Sequence, residues 1–165
     1  MIPEKIRPFF EVSCRKNKGG NELIKGTLTC CASHDFEVFA EGEIKCGVFS
    51  KLYLLPENDR LALNARCKKC GRDIPVFDNS CDGYEKCGSG RPDHTQSKNV
   101  ECIKCRGTSF SVDVTYEYPE DTEELKELGT AETGNAFTWI WVTLKCSGCG
   151  AAALCKTKER CVCFE

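Results

Sequence analysis

The chain has 165 residues, fifteen of them cysteine, and a formal net charge of -2. That length fits one ordinary domain or two small ones, and a small domain needs a staple to offset its limited core. The charge balance lacks the basic surplus that phosphate-binding surfaces carry, and no apolar run approaches the roughly 18 residues of a membrane-spanning helix, so nucleic acid is disfavoured as a partner and a helical membrane protein is excluded.

Taken in chain order, the opening MIPEKIRPFF is interrupted by charges and prolines and has no apolar stretch of the secretory type. An odd number of cysteines cannot be fully paired within one chain. Both points favour metal ligation in a reducing cytoplasm over a disulfide framework. FFEVSCRKNKGGNELIKGTLTC reads as two strands about a Gly19-Gly20 turn, and KLYLLPENDRLALNARC as two more about PEND. Cys14 and Cys46 fall in strand-like stretches and read as small core hydrophobes. CGSGRPDHTQSKN is a connector by composition, and the boundary between two modules is placed at residue 93, giving 1-92 and 93-165.

Beyond the connector, FSVDVTYEY alternates apolar and polar residues as a half-buried strand does. DTEELKELG carries a capping box, Asp121 with Glu124, and a terminal Gly129, which predicts a short helix. FTWIWVTLK is apolar on both faces and reads as a central strand, with Trp139 and Trp141 in the interior.

The two halves repeat one another. CASHDFEV (31–38) aligns with CRGTSFSV (105–112), and LALNARCKKCG (61–71) with IWVTLKCSGCG (140–150). The offset grows from 74 residues at the front to 79 at the back, so the second copy holds its extra residues in the middle.

The cysteine pairs carry the chemistry. Two C-x-x-C turns can each present two sulfurs at about 2.3 Å from one Zn²⁺, and together they complete a tetrahedron. In the second module the pairs are Cys102 with Cys105 and Cys146 with Cys149. In the first, Cys67 and Cys70 form an intact pair, Cys31 is retained, and Leu28 stands where the repeat requires a cysteine. The fourth ligand is then His34, which stands at C-x-x-H spacing from Cys31, with Cys30 as the alternative. Cys81, Cys87, Cys155, Cys161 and Cys163 are candidates for a third site, although their spacing matches no standard one.

This arrangement resembles the zinc-ribbon group of folds, in which two knuckles at the ends of β-hairpins clamp one structural zinc. The resemblance covers the knuckles and their adjoining strands and implies a mostly β protein. It would comprise two tandem zinc-ribbon-like antiparallel β modules, one short helix inserted in the second, and two zinc ions. CKKCG and CSGCG also resemble the knuckles of rubredoxins, which hold iron.

No catalytic constellation stands out, and closed thiolate sets leave no position for a substrate or water. The expectation is therefore a non-enzymatic, cytoplasmic protein-interaction module, with the acidic stretch EYPEDTEELKE (117–127) as a contact. The alternative is a nucleic-acid-binding zinc ribbon. It would use Lys68, Lys69, Arg15, Lys16, Lys18 and the run KTKER (156–160), with the two tryptophans as stacking platforms. A rubredoxin-like or dithiol redox protein is the lesser alternative.

Overall fold

The computed structural model describes residues 2–46, 52–55, 60–83, 96–120 and 133–156. Among them the chain forms eleven strands in one curled sheet, with helical geometry confined to short 3-10 turns at Arg7–Phe9 and Thr133–Asn135. The predicted helix over 121–129 and the cysteines Cys87, Cys161 and Cys163 lie outside the described residues.

Strands β1 (Phe10–Lys18) and β2 (Asn21–Leu28) form the expected hairpin. Gly19 and Gly20 both have positive φ, 60° and 88°, the left-handed conformation that glycine takes without a Cβ penalty. The register of this hairpin slips between Val12 and Cys14, and Cys14 is half-buried rather than a core residue. The PEND stretch does separate two strands, β5 (Leu52–Leu55) and β6 (Ala62–Cys67), but they do not pair with each other. Strand β5 joins β4 (Glu43–Cys46), whereas β6 lies between β3 (Phe36–Glu41) and β7 (Asp73–Asp78).

The second half builds the same arrangement. Strand β9 (Phe110–Tyr118) pairs with β10 (Trp139–Cys146), which pairs with β11 (Ala152–Lys156), all antiparallel. The register of β9 on β10 begins with Phe110 opposite Cys146, as that of β3 on β6 begins with Phe36 opposite Cys67. The central path of the sheet runs β11-β10-β9-β3-β6-β7 and reads alike from either end. At its middle β3 and β9 pair through Phe36 and Phe110, which occupy equivalent positions of the repeat.

Strands from either side of residue 93 share this sheet. Strand β2 pairs with β9 from Glu22 opposite Tyr118 to Thr27 opposite Asp113, and β8 (Lys98–Asn99) pairs with β3. They also share one apolar core, in which Ile6, Ile24, Leu28, Phe36 and Val38 of the first half pack with Phe110, Val112, Val114, Tyr116 and Leu144 of the second. The alternation read from FSVDVTYEY is complete: Phe110, Val112, Val114, Tyr116 and Tyr118 are buried, and the polar residues between them are half-buried. In β10 the buried face is Ile140, Val142 and Leu144. Trp139 and Trp141 lie half-buried on the opposite face, stacked with ring centroids 6.4 Å apart and planes 20° from parallel. The expectation of an interior position for them is corrected accordingly: a strand turns successive side chains to opposite faces, and the core takes the aliphatic set.

Candidate metal centres

The second centre is made where β9 begins and β10 ends. The turn before β9 carries Cys102 and Cys105, and the backbone closes on itself through Arg106 N–H to the Cys102 carbonyl and Cys102 N–H to the Gly107 carbonyl, each at 2.8 Å. Cys146 ends β10, and the Gly150 N–H returns to its carbonyl at 2.8 Å. Gly150 holds φ at 70°, the left-handed value that closes the knuckle. Cys102 and Cys146 are buried, Cys105 is exposed and Cys149 half-buried. The Cys102 and Cys149 sulfurs are 3.6 Å apart, and those of Cys105 and Cys146 are 3.5 Å apart. A Cβ at Gly107 would stand 3.3 Å from the Cys105 sulfur, so a larger residue there would crowd the sulfurs.

The first centre uses the same second knuckle, with Gly71 N–H bound to the Cys67 carbonyl at 2.8 Å and Gly71 at φ 73°. Its first turn is different. Cys30 and Ser33 exchange both backbone hydrogen bonds, 2.9 Å each, about a two-residue loop in which Cys31 and Ala32 have φ of 56° and 55°. Positive φ at both central residues is the type I′ pattern, which reverses the chain sharply enough for adjacent cysteines to face one point. The Cys30 sulfur lies 3.8 Å from that of Cys31 and 3.6 Å from that of Cys70.

Cys30, Cys31, Cys67 and Cys70 form one group and Cys102, Cys105, Cys146 and Cys149 the other, with all ligand atoms of a group within 4.8 Å of one another. The assembled first group thus contains Cys30, the alternative, and not His34. The His34 imidazole is turned to the backbone, its Nδ1 3.1 Å from the Leu28 carbonyl oxygen. A signal for Cys30 was present in the adjacent pair of cysteines, but it is weak, because cysteine and alanine seldom take the left-handed turn that makes such a pair useful. Cys81 is exposed and belongs to neither group. Its sulfur lies 3.7 Å from the Asp78 carbonyl and from Asp82 Oδ1. Cys155 lies in β11, opposite Val142.

A tetrahedral ion with metal–sulfur bonds of about 2.3 Å sets its sulfurs about 3.8 Å apart, so both groups fit a four-thiolate metal site. Each also holds thiols of opposite acidity. At Cys102 burial opposes the thiolate, but the N–H groups of Cys105 and Lys104 aimed at the sulfur outweigh it and bring its pKa down to about 6. At Cys105 the Gly107 N–H favours the thiolate, yet hydrogen bonds given to Cys146 and Cys149 push that thiol up to about 12. In the first group the Arg72 N–H, with bonds from Cys31 and Cys30, lowers Cys70 to about 7, while burial and the bond to Cys70 raise Cys30 to about 12. Such groups supply one ready thiolate to an arriving cation and release further protons as it binds.

The fold and these groups define a mostly β protein with two four-cysteine groups able to hold metal ions. Comparison with family models, with curated proteins and with solved structures finds no match to this chain. Among the described residues no helix is long and apolar enough to cross a membrane.

Proposed function

We propose that each four-cysteine group holds one structural Zn²⁺ and that the protein is a non-enzymatic, cytoplasmic interaction module built from two duplicated zinc-ribbon-like units. The observation that carries this reading is the closed donor set: four sulfurs converge in each group, at separations of 3.5 to 3.8 Å where neighbours are closest. Four thiolates saturate a tetrahedral zinc, leaving no open position for a water or substrate, which is the pattern of structural rather than catalytic sites. The duplication is supported by the matched registers Phe36 with Cys67 and Phe110 with Cys146, and by matched backbone bonds from Lys68 N–H to the Asp35 carbonyl and from Ser147 N–H to the Ser109 carbonyl.

A protein purified under reducing conditions should carry two equivalents of zinc, and metal-free preparations would end this reading. Affinity purification from native extract, with and without nuclease, tests the partner: recovery of a protein regardless of nuclease supports the interaction module. Nucleic-acid binding is the second reading, favoured by the stacked Trp139 and Trp141 on the non-core face of β10. It ranks below because Glu117 and Asp113 are the register partners of Trp139 and Thr143 on that same face and would repel phosphate. Nuclease-sensitive recovery with a steep salt dependence would promote it. A coloured, iron-containing protein would move the reading to electron transfer.

A further inference from the structure

We infer that Asp35 is a positioning residue that couples the two four-cysteine centres, so that filling one raises the affinity of the other. The inference rests on the metal reading above and deepens it.

Asp35 lies between the first turn of the first centre and β3, and it holds the second knuckles of both centres. Its backbone carbonyl accepts a hydrogen bond from Lys68 N–H at 3.1 Å, inside the Cys67-x-x-Cys70 knuckle. Its Oδ1 accepts one from Ser147 Oγ at 2.5 Å, inside the Cys146-x-x-Cys149 knuckle. Ser109 Oγ stands 3.5 Å from the same oxygen, and the Ser109 carbonyl accepts the Ser147 N–H at 2.9 Å. Ser109 is the repeat equivalent of Asp35, as Ser147 is of Lys68. One carboxylate therefore adds a bond across the junction to the single backbone bond of this kind that each repeat makes within itself.

The consequence follows from where these donors sit. Lys68 and Ser147 lie between the ligands of their knuckles, so an ion that fixes the sulfurs also fixes these residues. Ordering of Ser147 by the second ion holds the Asp35 side chain. A held Asp35 presents its carbonyl to Lys68 and so orders the first knuckle before its own ion arrives. The cost of ordering is then met once for both centres, and by linkage each ion favours the other equally. A hydroxyl-to-carboxylate hydrogen bond at the surface supports a coupling of about five- to tenfold in affinity.

The test is Co²⁺ titration of the reduced, metal-free full chain, followed by thiolate-to-cobalt absorption and chelator competition to extract both stepwise constants. The unaltered chain should bind two ions, the second about five- to tenfold more tightly than independent sites allow. Ser147→Ala should still bind two ions but without coupling, and Ser147→Thr, which keeps the hydroxyl, should restore it. Two ions bound independently by the unaltered chain, or coupling that survives in Ser147→Ala, overturns this inference while leaving the metal reading intact. No thiolate-to-cobalt absorption at all overturns the metal reading and this inference together.

Discussion

Phe36 and Phe110, equivalent residues of the two halves, are register partners in the pairing of β3 with β9, and both are fully buried. Each begins a strand whose partner strand ends on a buried cysteine of a metal-binding group, Cys67 or Cys146. The meeting of the two halves and the placement of the two centres are thus parts of one arrangement. Phe110→Ala removes a large side chain from that junction and should cost about 3 to 5 kcal/mol, measured by urea unfolding of the metal-loaded protein. A loss below about 1 kcal/mol would mean the junction repacks freely.

The fourth ligand of the first centre separates two variants. Cys30→Ser should lower bound zinc from two equivalents to one, because it removes a buried sulfur at 3.6 Å from Cys70. His34→Ala should leave two, since the imidazole faces the Leu28 carbonyl. Metal analysis of both proteins decides the matter, and the reverse pattern would return the imidazole to the ligand set.

Ala32 sits at φ 55° on the exposed turn between Cys31 and Ser33. A left-handed alanine costs about 1 to 2 kcal/mol, part of which glycine returns as extra freedom in the unfolded chain. Ala32→Gly should therefore stabilise the protein by up to about 1 kcal/mol and raise its melting temperature by a few degrees. A lowered melting temperature would show that the alanine methyl is needed where it stands.

Metal binding should strengthen as pH rises from 6 to 9. With Cys30 and Cys105 pushed up to about 12, both are protonated across that range, and a metal must displace their protons. Cys102, near 6, is already largely thiolate at pH 7 and gives up little more above it. In the metal-free fold the signs differ. The depressed Cys102 pKa adds stability that is complete above its ordinary 9.0 and fades as pH falls towards 6. The raised Cys30 pKa adds stability that is complete below 9.0 and is lost as pH climbs towards 12. Chelator competition at several pH values, with proton release followed by an indicator dye, checks the first statement, and an affinity independent of pH would contradict it.

The residues that carry local geometry were legible in the chain alone. C-x-x-C followed by glycine at Cys67 and Cys146 specifies a knuckle because its hydrogen bonds close within six residues. The alternation from Phe110 to Tyr118 specifies a strand with one buried face because side chains on a strand change sides at every step. Tertiary structure decided what depended on a partner. Leu52–Leu55 and Ala62–Cys67 read as neighbours, but each found its edge elsewhere in the sheet, since backbone hydrogen bonding carries no address. The tryptophans took the non-core face because Ile140, Val142 and Leu144 filled the interior. Cys30, and not His34, stands in the four-cysteine group because two residues adopted positive φ, a backbone state that spacing does not encode and that persists only where surrounding contacts impose it.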